Sequence, residues 1–173
     1  MPHTGSAHTR LIVLRGDSGS GKTTTAVALR PLLGDKTALI HQDYFRREVL
    51  SGSDKLTRAA DAAALIDATA RQALDLGYDV ILDGVFNLRD YAERFENLWR
   101  DHAGLTRIYQ FDLDFDETVR RHETRELRHA FTIDDMRRWY DGWEPLTFIE
   151  EGRIGPEESL SQIVDRIVTD LSS

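Results

Sequence analysis

The stretch Gly16-Asp17-Ser18-Gly19-Ser20-Gly21-Lys22-Thr23 constrains this chain more tightly than anything else in it. It satisfies G-x-x-x-x-G-K-[ST] at every fixed position. Before it lies an apolar run, Leu11-Ile12-Val13-Leu14, that reads as a buried strand. After it, Lys22 to Leu33 has helical spacing and closes at Gly34. A strand, a glycine-rich turn and a helix in that order form a backbone cradle for phosphate. The glycines allow positive φ and close approach of the backbone. Successive N–H groups can then point inward at an anion, and the helix N-terminus adds a favourable dipole. The candidate nucleotide-binding set is Gly16, Asp17, Ser18, Gly19, Ser20, Gly21, Lys22, Thr23 and Thr24. Lys22 is placed to reach the β- and γ-phosphates of ATP, and the Thr23 hydroxyl to bind Mg²⁺. The competing reading is a glycine-rich turn with no ligand.

The remainder alternates short apolar runs with helical stretches. Strands are expected at Thr37–His41, Val80–Leu82 and Thr106–Phe111, with a fifth starting at Thr147–Ile149. Helices are expected over Asp54–Leu76, Leu88–His102, Asp116–Arg128, Ile133–Tyr140 and Ser159–Leu171. The last carries Leu160, Ile163, Val164, Ile167 and Leu171 on one stripe. Strands alternating with helices imply an α/β fold with a parallel sheet covered on both faces. A length of 173 residues suits a single domain. It is expected over residues 10–173, preceded by a flexible polar tail over 1–9. There is no cysteine, so disulfides and thiolate metal sites are excluded. The six histidines show no His-x-x-x-His pair, which argues against zinc. No apolar run reaches the roughly 20 residues of a bilayer span, and the balance fits a cytoplasmic protein without a membrane partner. The net charge of −8 opposes a broad nucleic-acid face but leaves room for a local basic groove.

A nucleotide-driven switch is the rival class. The guanine-reading Asn-Lys-x-Asp does not occur. Asp101-His102-Ala103-Gly104 matches D-x-x-G, but it precedes a strand rather than following one. Two carboxylates lie where expected strands end. Asp43, in His41-Gln42-Asp43-Tyr44-Phe45-Arg46, is placed to orient and deprotonate an acceptor hydroxyl, and Arg46 to hold the acceptor. Asp43 could instead cap the following helix. Asp83 closes Val80-Ile81-Leu82 and is placed to hold the metal's water shell or the acceptor, with Asn87 and Arg89 close behind. Arg121 and Arg125 share a helix face four residues apart, suited to stacking on a base and reaching phosphate. Glu117, Glu123 and Glu126 are interleaved with them, so a solvated, salt-bridged helix is the bland alternative. Met136, Trp139, Tyr140 and Trp143 form an aromatic group whose default role is packing.

Together these residues resemble small P-loop kinases, in particular the kinase domain of phage-type polynucleotide kinase and its bacterial relatives, which include antibiotic phosphotransferases. The resemblance runs from Leu11 to Tyr140. It implies a P-loop NTPase-type three-layer sandwich with a five-stranded sheet of order 2-3-1-4-5 and an Arg-rich lid. It implies ATP and Mg²⁺ as cofactors, with Thr23 and Asp83 on the metal side and Asp43, Arg46 and Asp83 on the substrate side. Asp43 is implied as the base, Lys22 and Arg125 as catalytic cations, and Arg121 and Arg125 as lid ligands of the nucleotide. The implied acceptor is a small-molecule hydroxyl, with a 5′-hydroxyl polynucleotide as the alternative. Nothing in the pattern specifies an oligomeric state.

Overall fold

The computed structural model describes residues 3–50, 59–124 and 131–173. Five strands form one parallel sheet: β1 (Arg10–Gly16), β2 (Thr37–His41), β3 (Asp79–Gly84), β4 (Leu105–Phe111) and β5 (Gly152–Ile154). Their order is β2-β3-β1-β4-β5, as expected. Side chains alternate along the central strand and so feed two cores. Leu11 and Val13 face α3 (Ala59–Asp75) and α4 (Leu88–Asp101), while Ile12 and Leu14 face α1 (Lys22–Leu33) and α7 (Leu160–Asp170). Both faces are therefore covered, which lets β1 and β3 be apolar at successive positions. Each such fully buried Leu or Ile contributes about 1.5–3 kcal/mol relative to exposure.

Between β2 and α3 lie α2 (Gln42–Tyr44) and a π-helical turn over Phe45–Val49. After β4 come α5 (Phe115–Glu123) and α6 (Ile133–Trp139). Side chains cap both N-termini: Asp114 accepts from the Glu117 N–H, and Thr132 with Asp135 forms a reciprocal box. Of the helix expected over Asp54–Leu76, residues 54–58 lie outside the described residues. So does the end of the one expected over Asp116–Arg128.

Two expectations need correction. The fifth strand does not begin at Thr147 but covers Gly152–Ile154 and pairs with Tyr109 to Phe111. Phe148 and Ile149 pack instead against the α3–α4 core, and Phe148 meets Trp99 at 5.4 Å between ring centroids. That apolar pair is core rather than ladder. The other correction concerns the start of the chain, where residues 3–9 are joined to the domain. Thr4 bridges to His102, donating its N–H to Asp101 O at 2.9 Å and accepting from Ala103 N at 3.0 Å. Thr9 is buried, and its hydroxyl meets His102 Nε2 at 3.0 Å. His102 Nδ1 in turn meets the Thr106 hydroxyl at 2.9 Å. Gly104 makes this junction possible, because a Cβ there would lie 1.9 Å from Thr9 O.

Candidate active site

The C-terminal ends of β1, β2 and β3 converge on the loop Gly16–Thr23. Gly19 has φ 83°, and a Cβ on it would meet Thr118 O at 2.7 Å, so α5 packs directly against the loop. Gly21 precedes α1 with φ 102° and gives no side-chain cap. A helix N-terminus without a side-chain cap is a favourable place for an anion. Lys22 is buried and curls back on the loop, donating to Asp17 O at 2.7 Å and to Ser20 Oγ at 3.2 Å. Ser18 is half-buried, whereas Thr23 and Thr24 are exposed.

Asp83 is 3% exposed and stands one residue before the end of β3, in register with Leu14 and His41. Its Oδ2 accepts from Thr23 Oγ1 at 2.8 Å and lies 2.7 Å from His41 Nδ1. The structure thus brings together the loop hydroxyl and the β3 acid that the sequence singled out. His41 completes the group and was not singled out, although its place at the end of β2 was the available signal. Asp43 is exposed in the first turn of α2, and Arg46 is half-buried one turn on. Asp43 is not the N-cap, since His41 occupies that position. Asn87 caps α4 by accepting from Asp90 N at 3.0 Å, and Arg89 is exposed near Asp90.

Arg121 reaches the loop from α5. It donates to Ser20 O and to Pro156 O, each at 3.2 Å, and its Nε donates to Glu117 at 2.7 Å. Hydrogen bonds from Arg120 and then Arg121 pull the Glu117 carboxyl down to about 2. Arg125, the other expected lid arginine, lies outside the described residues. The aromatic group does not close into one stack. Met136 is buried, Trp139 tilts against Phe131, and Trp143 lies under the Arg153 guanidinium at 4.9 Å.

Asp17 does something the motif did not announce. Its carboxylate accepts from Asp141 N at 2.8 Å and Gly142 N at 3.0 Å. Burial raises its carboxyl above the ordinary range, opposed by those two N–H groups and by the Lys22 charge. It fastens residues 140–151, a strap running from the lid to β5. Arg15 holds the same strap from below. Its Nη1 donates to Glu144 O at 2.8 Å and to Glu151 Oε1 at 2.9 Å, and Gln110 Nε2 donates to Gly142 O at 3.0 Å. Sequence reading missed Arg15 and Glu151; an arginine inside an apolar strand was the signal.

An all-parallel sheet of this order, with a phosphate loop after β1, an acid at the end of β3 and a helical lid after β4, defines a P-loop kinase. The AAA domain family model matches residues 11–143, and the chain belongs to that family. Its fold is similar to that of the APS kinase of Mycobacterium tuberculosis, with TM-score 0.72 and 17% identity over 99% of this chain and 100% of that one. A putative kinase of Chloroflexus aurantiacus gives 0.70 and 22% over 97% and 98%, and a gluconokinase of Sinorhizobium meliloti 0.69 and 17% over 99% and 94%. A probable thymidylate kinase of Methanoculleus marisnigri is 39% identical over 85 residues, and the chain spans 42% of that relative's length. No helix among the described residues is long and apolar enough to cross a membrane.

Proposed function

We propose that this chain transfers the γ-phosphoryl group of ATP to a hydroxyl of a small molecule. The observation that carries the reading is the 2.8 Å contact of Thr23 Oγ1 with Asp83 Oδ2. It joins the end of the phosphate loop to the end of β3, where ligands of parallel sheets bind. Two hard oxygen donors side by side fit Mg²⁺, which keeps most of its waters and takes one or two protein oxygens. Bound there through Thr23 and Asp83, the ion would supply neutralising charge beside the β- and γ-phosphates.

The protein's own groups divide the remaining work. The N–H groups of Gly19 to Thr23 would hold the phosphates, and Lys22 would exchange Asp17 O and Ser20 Oγ for phosphate oxygens. Arg121, already bridging the loop and Pro156, would lie against the nucleotide, with Arg125 closing over it. Asp43 would accept the proton of the acceptor hydroxyl as the new O–P bond forms and the β–γ bridge breaks. Arg46 would hold the acceptor. The spacing of Asp43 and Arg46 is also what supports likeness to the phage-type polynucleotide kinases. The net charge of −8 favours a nucleoside, sugar or antibiotic-like acceptor over a polynucleotide. The names of the similar kinases, on APS, gluconate and thymidylate, support the same scale of substrate.

The test is ADP release over a panel of nucleosides, sugars and hydroxylated antibiotics, with a 5′-hydroxyl oligonucleotide included. Asp43→Ala is expected to lower kcat by about 100-fold or more while ATP still binds. Wild-type turnover by that variant would end the assignment of Asp43 as base.

A further inference from the structure

The parallel ladder between β2 and β3 ends at His41 and Asp83. Beyond that pair the two chains diverge: β2 turns into α2, while β3 runs on through Gly84 to Val85. The next ladder donor, the Val85 N–H, has lost its main-chain partner. The Gln42 side chain takes that place, its Oε1 accepting from Val85 N at 2.9 Å. Its Nε2 donates to Tyr91 Oη on α4 at 3.0 Å. Gln42 is 4% exposed, so both bonds are made away from water, where their loss is most costly.

The surroundings are built around this bridge. Gly84 cannot carry a side chain, because its Cβ would fall 2.5 Å from Gln42 Cβ. Phe86 takes φ 47°, a left-handed conformation that strains a non-glycine residue. In return its ring is fully buried against Tyr91 and Phe95, at 4.8 and 5.2 Å between centroids. Val85 O meanwhile accepts from Gly16 N at 3.4 Å, tying the same residue to the phosphate loop. Val85 is therefore held by the loop on one side and by Gln42 on the other.

From this arrangement we infer that Gln42 is a positioning residue for phosphoryl transfer, acting through its neighbour Asp43. Gln42 fixes where the first turn of α2 sits relative to β3 and the phosphate loop. Asp43 is the next residue along that turn and has no comparable side-chain anchor among the described residues. The distance of its carboxylate from the transferring phosphoryl is set by the two bonds of Gln42. This inference rests on the reading of Asp43 as the base.

The experiment uses basal hydrolysis of Mg·ATP, with water as the acceptor, by the full chain. Gln42→Leu removes both bonds and is expected to lower the rate about 10- to 100-fold, with KM for ATP unchanged within twofold. Gln42→Glu keeps the acceptor for Val85 N and can accept a hydrogen bond from the Tyr91 hydroxyl, so it is expected to recover most of the rate. Tyr91→Phe breaks one bond and is expected to fall between them. A crystal structure of Gln42→Leu supplies a readout independent of turnover: displacement of Asp43 by about 1 Å or more supports the inference. Wild-type hydrolysis by Gln42→Leu, an unmoved Asp43, or equal loss in the Leu and Glu variants overturns it. Asp43→Asn separates the two readings. If it hydrolyses ATP at the wild-type rate, the base assignment fails and the positioning role with it. If it is inactive while Gln42→Leu hydrolyses ATP at the wild-type rate, the positioning role alone fails.

Discussion

Glu151→Ala tests the argument that the strap is locked by a buried charge pair. Arg15 and Glu151 have side chains only 2% and 1% exposed, and Arg15 Nη1 donates to the two Glu151 oxygens at 2.9 and 3.1 Å. Glu151 Oε2 also accepts from Leu146 N at 2.8 Å. Removing the carboxylate leaves a guanidinium under the strap with, among the described residues, only the neutral oxygens of Gln110, Glu144 and Phe86. Breaking one side of such a pair costs about 3–5 kcal/mol. Unfolding entropy near the midpoint is about 2.1 cal/mol/K per residue, or ~0.36 kcal/mol/K for 173 residues. The expected fall in Tm is therefore about 8–14 °C, measured by calorimetry and circular dichroism. The pair Arg15→Met with Glu151→Leu removes both charges and the desolvation they suffer. It is expected to recover most of the loss, to within about 2 kcal/mol of wild type. A single variant melting within 3 °C of wild type, or a double variant no better than the single, would refute the reasoning.

The remaining predictions concern protons and metal. Burial lowers the His102 pKa below 6.5, against a smaller opposing effect of Asp79, so the native state binds fewer protons here than the unfolded chain. Its stability contribution is complete above pH 6.5 and is lost as pH falls through the lower native value. A fall in the amide protection factors of Thr4 to Thr9 on acidification, relative to the intrinsic exchange rates at each pH and absent in His102→Gln, is the expected result. Glu117, held at about 2 by Arg120 and Arg121, contributes stability above its unfolded value of 4.5 that is lost as pH falls toward 2. The gap in Tm between wild type and Glu117→Gln should accordingly narrow across that window. Thr23→Ala removes one of the two oxygens assigned to Mg²⁺. It should weaken binding of AMPPNP in the presence of Mg²⁺ by about 10-fold while leaving Mg²⁺-free binding nearly unchanged, read by isothermal titration.

How much of this was legible in the sequence depended on the range of the interaction. The phosphate loop is a local signal: glycines, lysine and threonine at fixed spacing between two periodic segments, and it placed β1 and α1, while the sheet order came from the resemblance to small P-loop kinases. Asp83 was legible because a strand end is marked by the switch from apolar to acidic residues. The fifth strand was misplaced because Phe148-Ile149 is the apolar pair in this region, whereas Gly152-Arg153-Ile154 is three residues long with an arginine at its centre and gives no apolar run. What separates them is that a glycine is needed at 152, where a Cβ would meet Tyr109 Cδ1 at 2.4 Å. The packed start of the chain escaped for a related reason. Its partners His102, Arg71 and Asp75 are polar residues far along the sequence, and polar pairing has no period.

The same limit explains why the polar anchors of the site were invisible while its motif was not. Parallel strands present their last N–H and C=O groups at one edge, and these groups must be paired although the ladder has ended. Gln42 pairs with Val85 N, Asp17 with the N–H groups of Asp141 and Gly142, and Arg15 with Glu144 O. Each solution joins the sheet edge to a segment that borders the candidate site, over a sequence separation of 43 residues or more. A kinase of this fold needs that edge open to ligands and rigid at once. Buried side chains that satisfy stray backbone groups meet both needs, because they leave no unpaired polar atom and permit only one arrangement of the segments they join.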